Sequence, residues 1–468
     1  MTSTPVLTAA PALAPLDRVD QVTGGHRSVD AVTLLSWYAV VLLMVPATLI
    51  FAPLGQVGTP AIAAACLLLL WFLASWISGN TALSGAGRPV RIAMVVFSVA
   101  ILLSFVAAMT RDITQEEVLA ADSGLIWLLT SIGLFLLASQ SITSYRRLDT
   151  LFRRLVILGC VVALIGVGQF FGYDITKYMV LPGLSVNEAA VTNVLVRGGF
   201  TRPWSTTTQP IEFSVVLAML LPFAIQQALD PARTGKFRKW APVVILAFAI
   251  PLTVTRSGVL GAFVAVLCLF FTWSPARQRV ALVFLVIGLG AMHIVAGGLI
   301  STLYRSFLGV ITGQDQNVQD RTADYAGVSQ YIAQRPIFGR GFWTFIPTVY
   351  RYTDNMYLLG MVEFGIVGIA AMVLLFWAGM YCARAGRRLT QVGAQREFGQ
   401  ALFASIAAAT VTSATFDSLT FQDFSGLFFI ILGAAGAYLG IMSAQARAPG
   451  RSGGSADEPP TIELAPIR

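Results

Sequence analysis

Long apolar stretches recur along this chain, and they limit what it can fold into. Runs such as AIAAACLLLLWFLASWIS, residues 61–78, are long enough for a helix to cross a hydrocarbon core of about 30 Å. The runs do not alternate in polarity, as the strands of a membrane barrel do. Hydrophobic residues make up 56% of the sequence and charged residues 12%, which is outside the range of soluble globular domains. The sequence therefore predicts an all-α polytopic membrane protein.

One stretch, 241–273, is too long for a single helix and has Arg256 at its middle. At about 1.5 Å per residue it would reach roughly 50 Å as one helix, whereas two short helices joined at the sequence TRSG (255–258) fit a bilayer. Counting it as a hairpin puts nearly all the loop arginines and lysines on one side, which makes that side cytoplasmic. We therefore predict twelve transmembrane helices, both termini in the cytoplasm and Arg256 at an external turn. Besides the two halves of the hairpin, the predicted helices are 33–52, 61–78, 92–109, 125–142, 155–172, 211–229, 280–299, 356–384, 401–421 and 426–445.

The predicted organisation is one membrane domain, 33–445, between two disordered cytoplasmic tails, 1–32 and 446–468. Most external loops have only a few residues, but 173–210 and 300–355 are long, and function concentrates in such insertions. The net charge of +8 arises from cations in the short loops between spans, where they act as topology signals. We therefore expect no nucleic-acid partner.

The two long loops and the helix after them contain four motifs rich in glycine, arginine and aromatic residues. The motifs are VRGGFTRPWSTTTQPIEF (196–213), DRTADY (320–325), PIFGRGFWTF (336–345) and DNMYLLGMVEFGIVG (354–368). We expect an external helix over Asp320–Ala333 that Pro336 ends, and a close backbone turn at the glycines that follow. No P-loop lysine follows these glycines, so they do not indicate a generic phosphate loop.

The order of these motifs around the hairpin resembles the O-antigen ligase and O-antigen polymerase family of bacterial membrane glycosyltransferases, from about residue 155 to residue 440. The resemblance implies a C-type glycosyltransferase-like architecture in the bacterial plasma (inner) membrane, with no metal and no cofactor. The donor would be a glycan on a polyprenyl diphosphate. It would be transferred, with inversion, to a hydroxyl of a glycan or glycolipid acceptor on the external face. Membrane lipids are the other expected partners.

Three arginines match those that the family uses to hold the diphosphate: Arg202, Arg256 and Arg321. Guanidinium groups suit this role because they bind phosphate oxygens in bidentate geometry and stay charged at any working pH. The resemblance also implies catalytic roles for Asp354, as a base, and for Glu363. Ligases of the family usually have His followed by Asn or Ser where this chain has Asp354 and Asn355, which leaves both ligase and polymerase activity open. The possible substrate contacts are Arg197, Arg340, Asn355 and Tyr357.

Several of these residues have a structural alternative. Arg256 would merely mark the turn by extending to the interface, and Asp354 would cap the helix that begins after it. Glu363 would form an ion pair inside the bundle. Arg197 and Arg340 would be surface charges.

Other functional classes fit parts of the sequence. Twelve spans with both ends inside is a common transporter layout, so a transporter or flippase for lipid-linked oligosaccharide is the main alternative. Against it, the two halves show no obvious repeat and the charges lie on one side instead of at the midplane. The tails alone would support a scaffold. The acidic pair Glu116 and Glu117 resembles that of dolichyl-phosphate-sugar transferases, but those enzymes have it in the first external loop, so we interpret it as a solvated face.

Overall fold

The computed structural model describes residues 30–78, 87–187, 196–197, 199–312 and 327–447, and these residues are mostly helical. The α-helices are α1 (Ala31–Met44), α2 (Pro60–Ile77), α3 (Arg88–Met109), α4 (Gln115–Gln140), α5 (Tyr145–Phe170), α6 (Pro210–Leu229), α7 (Lys236–Leu252), α8 (Arg256–Phe270), α9 (Pro275–Val295), α10 (Leu299–Thr312), α11 (residues 327–334), α12 (Met356–Glu363), α13 (Gly365–Leu389), α14 (Gly393–Thr412) and α15 (Gln422–Arg447). Two antiparallel pairs of two-residue strands join β1 (Leu49–Ile50) to β2 (Ser185–Val186) and β3 (Val196–Arg197) to β4 (Phe200–Thr201).

Several predictions fall outside the described residues. The predicted tails lie almost wholly outside them, as do Arg321 and the first part of the helix expected over Asp320–Ala333. The remainder of that expected helix is α11, which ends just before Pro336 as its sequence predicts.

Many helices begin at residues that favour a helix start. Pro60, Pro210 and Pro275 each occupy the first turn of a helix. The N–H that proline lacks would have no partner within the helix at that position, so no hydrogen bond is lost. Thr114 forms a capping box with Glu117, in which each side chain accepts a hydrogen bond from the backbone N–H of the other residue. The helix starts are therefore encoded locally, whereas burial decides how the helices assemble.

Eight helices in the described part of the chain are long and apolar enough to cross a membrane, and α1 and α8 are shorter apolar helices. Together with α7 and α14, they occupy the positions of the twelve predicted spans. This confirms the prediction of an all-α polytopic membrane protein.

Three predicted helices end early or are interrupted. The helix predicted over 33–52 ends at Met44, and strand β1 follows it at Leu49–Ile50. The helix predicted over 356–384 is broken at Phe364 into α12 and α13. The helix predicted over 401–421 is α14, which begins earlier and ends at Thr412. The hydroxyl groups of Thr412 and Ser413 donate to backbone carbonyls one turn back, and this competition with the helical pattern accompanies the end of the helix.

Helix α6 lies at the centre of the bundle. Almost all of its residues are buried, and it packs against α5, α7, α8 and α14. Its contact with α8 is close because Gly258 faces Ser214: a Cβ at Gly258 would lie 2.3 Å from the Ser214 Cβ. Helix α6 therefore positions the first turn of α8.

The bundle has two ends with different polar groups. One end holds Arg277, which pairs with Glu397 (2.6 Å), and also Arg387; we call it the Arg387 end. The opposite end holds the turn between α7 and α8 and is called the Arg256 end. Because α7 ends at Leu252 and α8 begins at Arg256, the structure confirms that the stretch 241–273 is a helical hairpin.

Candidate functional site

The turn between α7 and α8 is fixed by hydroxyl groups. The Thr253 Oγ1 and Thr255 Oγ1 atoms are 2.7 Å apart, and Thr255 Oγ1 donates to Ser214 Oγ of α6 at 2.7 Å. Val254, between them, is buried and has a φ of +52°, which β-branched residues rarely adopt. These contacts set the place where Arg256 begins α8.

Arg202 lies in the loop before α6 and is only 8% exposed. Its Nε atom donates to the carbonyl oxygen of Thr253 at 3.4 Å. The loop is held inside the bundle by Gln169 of α5, whose Oε1 accepts a hydrogen bond from the backbone N–H of Ser205 at 2.6 Å. The fold thus brings Arg202 against the turn that leads into Arg256.

Strained backbone is concentrated at this end. In the described part of the chain, the non-glycine residues with positive φ are Ser205 (+55°), Val254 (+52°) and Trp343 (+60°). They lie in the Arg202 loop, in the α7–α8 turn and in the segment 336–345. Such conformations cost on the order of 1–3 kcal/mol each and persist only where the surroundings impose them, commonly at functional sites. The strain therefore marks the Arg256 end as the candidate site.

Two fully buried acids stand in the first turns of α6 and α15. Glu212, in the first turn of α6, accepts hydrogen bonds from the backbone N–H and hydroxyl of Thr208 (3.1 and 2.8 Å) and from the backbone N–H of Asp423 (2.9 Å). The Glu212 carboxylate therefore caps the N-terminus of α15, and it also fixes Thr208 just before its own helix. Neither carboxylate oxygen of Asp423 has a hydrogen-bond partner among the described residues, and burial of such a group is costly.

The residues after the second long loop lie at the same end, next to the end of α14. Asp354 is exposed, and Asn355 caps α12 by accepting from the backbone N–H of Tyr357 at 2.9 Å. The Tyr357 hydroxyl donates to the carbonyl of Thr410 at 2.8 Å. Burial, together with the negative charge of Asp354, raises the pKa of Asp417 to about 7. Asp354 and Asp417 therefore interact electrostatically.

Glu363 lies at the break between α12 and α13 and is 3% exposed. Its Oε1 accepts from the backbone N–H of Phe345 at 3.4 Å, and its Oε2 has no hydrogen-bond partner in the described structure. The segment 336–345 runs along the break, with the Gly341 N–H donating to the Glu363 carbonyl at 2.9 Å. A Cβ at Gly339 would be 2.2 Å from that carbonyl oxygen. This confirms the close backbone turn that the glycines predict.

Arg340 belongs to a buried ion-pair network. It pairs with Glu117 at 3.0 Å, and Arg111 pairs with the other oxygen of the same carboxylate at 3.0 Å. The Tyr350 hydroxyl donates to Glu117 at 2.6 Å, and the Arg340 guanidinium lies over the Tyr350 ring. The interpretation of Glu116 and Glu117 as a solvated face is therefore wrong for Glu117, because four donors hold it inside the fold. Glu116 is exposed.

The predicted site residues divide into groups. Arg202 and Arg256 come together at the α7–α8 turn, and Asp354, Asn355 and Tyr357 lie at the same end of the bundle. Arg340 belongs to the glycine-rich segment 336–345, and Glu363 lies against that segment. The side chain of Arg197 is outside what the structure describes, as is Arg321. The roles of all these residues in binding or catalysis stay predictions.

Glu212, Ser214, Asp417 and Asp423 were not among the site residues predicted from the sequence. A usable signal was present, because Glu212 and Asp423 stand in the first turns of strongly apolar helices. Ionisable residues in such segments are rare and point to function or to specific partners. Ser214 had no signal, since one serine in an apolar helix is ordinary.

The fold and the site define the class of protein: it is a multi-pass, all-α membrane protein with a buried polar site at one end. Residues 241–373 match the family model described as O-antigen ligase, which confirms the resemblance to that family. The matched region begins in α7 and runs through the α7–α8 turn and the segment 336–345 into α13. The match supports glycan transfer of the O-antigen ligase or polymerase type.

The other comparisons add little. No curated protein matches this chain. One similar solved chain comes from a structure titled "Structural coordination of polymerization and crosslinking by a peptidoglycan synthase complex". It is 14% identical, and the match covers 76% of this chain and 98% of the other with a TM-score of 0.43.

Proposed function

We propose that this protein transfers a glycan from a polyprenyl diphosphate carrier to a sugar hydroxyl, as an O-antigen-type polymerase or ligase acting at the Arg256 end of the bundle. The observation that supports this most directly is the contact of the buried Arg202 guanidinium with Thr253, three residues before Arg256. Two guanidinium groups at one turn form a cationic region suited to a diphosphate.

The diphosphate is the leaving group of this reaction. As the bond from the sugar to the phosphate oxygen breaks, negative charge grows on the diphosphate, and cations fixed beside it lower the barrier. In the proposal Arg202, Arg256 and Arg321 hold the diphosphate throughout. They take the role that a metal ion has in other transferases, so the reaction needs no metal or cofactor.

Asp354 is the proposed base, because it is exposed at the same end as the two arginines. It accepts the proton of the acceptor hydroxyl as that oxygen attacks the anomeric carbon from the side opposite the diphosphate, which inverts the configuration. Glu363 is less accessible, and we assign it to the support of the segment 336–345. Arg197, Asn355 and Tyr357 remain candidates for contacts with the sugars, as does Arg340 once the glycan is bound.

The proposal includes an orientation. The Arg387 end would face the cytoplasm of a bacterial cell, because the loops there carry most of the arginines and lysines. The Arg256 end would then lie at the external face of the plasma membrane, where lipid-linked glycans are presented. The family match does not favour the transporter alternative.

The test compares arginine variants in a reconstituted transfer assay. Purified protein receives a polyprenyl-diphosphate glycan and an acceptor glycan, and products are separated by size. We expect Arg202→Ala and Arg256→Ala each to lower kcat by about 10²–10³-fold, as removal of a charge-stabilising group does. Arg202→Lys and Arg256→Lys keep the charge but lose the bidentate geometry, so their kcat should lie between those of the wild type and the alanine variants.

Arg146→Ala is the matched control, because Arg146 is exposed and far from this end. It should transfer glycan at the wild-type rate. Full activity of Arg202→Ala and Arg256→Ala, with normal elution in detergent, would refute the proposed function. The product pattern separates the two activities: a ladder made from donor alone indicates a polymerase, and a single addition to a different acceptor indicates a ligase.

A further inference from the structure

A cavity of about 220 Å³ lies at the Arg387 end, at the opposite end of the bundle from the proposed active site. It lies where the end of α6, the end of α8 and the start of α14 meet the last turn of α13. Apolar residues that include Leu229 and Trp273 form part of its wall, and Gln226, Thr272 and Gln400 contribute polar groups. The proposed glycan transfer gives this cavity no role.

The cavity carries an excess of positive charge. Arg387 and Arg396 both line it, so two guanidinium groups of like charge border the same space. Glu397 also lines it, but Arg277 neutralises that carboxylate through a contact of 2.6 Å. An anion between Arg387 and Arg396 would relieve their repulsion.

Polar groups at the cavity have unused hydrogen-bonding capacity. Gln226 is 3% exposed, and its Oε1, an acceptor suited to a hydroxyl of the headgroup, has no hydrogen-bond partner in the described structure. The Arg387 Nε atom, a donor suited to a phosphate oxygen, has no partner in the described structure either. Helix α14 starts here at Gly393, and Val392 before it provides no side-chain cap. The first N–H groups of α14 therefore add a partial positive charge at the cavity.

We propose that this cavity binds a phosphate group carried on a small polar headgroup. Guanidinium groups and helix N-termini are the groups that proteins use for phosphate. A water molecule occupies about 30 Å³ in the liquid, so the cavity has room for several waters, or for a phosphate with a short polyol. It is smaller than ordinary ligand pockets, which measure roughly 300–1,000 Å³. Trp273 fits a position at the membrane interface, where lipid headgroups supply such phosphates.

Binding there would stabilise the arrangement of three helices. Helices α6, α8 and α14 line the cavity with one end and surround the Arg256 site with the other. A ligand that binds only the folded state raises its stability according to concentration and affinity. The expected sign of binding is therefore a higher thermal midpoint of the whole protein.

The sharpest variant is Gly393→Asp, with Gly393→Asn as its neutral control. A Cβ at Gly393 meets nothing within 4 Å, so both side chains fit. An aspartate in the first turn of a helix favours the helix but repels phosphate. Full-length protein in neutral detergent is titrated separately with short-chain phosphatidylglycerol and with glycerol phosphate, and short-chain diacylglycerol, which has no phosphate, serves as the reference lipid. Dissociation constants and thermal midpoints are measured.

We expect Gly393→Asp to raise the dissociation constant at least tenfold and to abolish the rise in thermal midpoint, while Gly393→Asn behaves as the wild type. Arg387→Gln should weaken binding similarly, whereas Arg279→Gln, at an exposed arginine of the same end, should not. Binding of both probes supports a phosphate site in general. Binding of the lipid alone assigns the site to lipid headgroups, and binding of glycerol phosphate alone assigns it to a soluble ligand.

Two results would overturn the proposal: no binding of either phosphate probe to the wild type, or equal binding to Gly393→Asp and Gly393→Asn. The readout contains no glycan transfer, so a failure here leaves the proposed function untouched. A failure of the proposed function likewise leaves this binding test intact.

Discussion

Replacement of Glu117 by glutamine should loosen the second long loop. Glu117 is the acceptor for two arginines, a tyrosine hydroxyl and the backbone N–H of Thr114. Glutamine has nearly the same shape, but it lacks the charge and presents an NH₂ group where one oxygen faces donors. The change therefore removes ion pairs without creating a cavity. Arg340 and Tyr350 attach segment 336–350 to Glu117, so this segment should open more often in the variant.

The magnitude follows from burial. Removing one partner of a buried ion pair costs about 3–5 kcal/mol, and Glu117 has a side chain that is only 2% exposed. Its partners are less buried: the side chain of Arg111 is 10% exposed and that of Arg340 is 19% exposed. Solvent therefore compensates part of the loss, and we expect about 3 kcal/mol. Since about 1.4 kcal/mol is a tenfold change, local opening should become roughly a hundredfold more frequent.

Hydrogen exchange measured by mass spectrometry reads this opening directly. Peptides covering 336–350 should exchange faster in Glu117→Gln, while peptides from α6 should not change. Glu116→Gln is the matched control, because it removes the same charge from an exposed neighbour and should alter stability by less than about 0.5 kcal/mol. Equal exchange of the two variants across 336–350 would refute the argument that this network holds the loop.

Two further predictions concern the contact of Gly339 and the protonation of Asp417. Gly339→Ala would force a Cβ to 2.2 Å from the Glu363 carbonyl oxygen at a φ of +73°. It should therefore lower the thermal midpoint more than Gly183→Ala, where φ is +84° but the added Cβ meets nothing within 4 Å. Equal shifts of the two midpoints would contradict the close contact. Asp417 has a pKa of about 7 in the folded protein, above the value near 4 of an unfolded aspartate, so the folded state binds the proton more tightly between those pH values. The thermal midpoint should therefore fall as the pH rises from about 4 through about 7, and Asp417→Asn should remove that part of the fall; identical pH profiles would contradict it.

The sequence could predict the membrane fold because hydrocarbon leaves few choices. A chain that crosses a bilayer must satisfy its backbone groups internally, so apolar length and loop charge were enough to identify the spans and the hairpin at 253–255. The bounds were less predictable. The end of α14 at Thr412 is accompanied by hydroxyl groups that bond back to the helix, and the break at Phe364 is accompanied by the close approach of Gly339 to the Glu363 carbonyl, which is a tertiary contact.

The candidate site was only partly readable from the sequence. Arg256 stood out because a charge inside an apolar stretch requires a reason. The partners of Arg340 did not stand out, since Glu117 lies more than two hundred positions earlier in the chain and only the tertiary fold brings the two together. Glu212 could be noticed as an acid in the first turn of an apolar helix, but its partners could not, because its hydrogen bond from the start of α15 exists only in the folded protein. Patterns within one segment reveal unusual residues, but they do not reveal which segments meet.

The α7–α8 turn gains its rigidity from α6 and from the loop before it. Val254 is held at a φ of +52°, a conformation that would relax if the turn were free. Ser214 fixes Thr255 on one side of Val254, and Arg202 fixes the Thr253 carbonyl on the other. The Arg256 backbone is thereby set before any ligand binds. A charge that is already in position needs no reorganisation when the leaving group becomes negative, and this is the condition under which a fixed cation is most effective in catalysis. The fixed backbone at this turn is therefore the feature on which the proposed diphosphate site would depend.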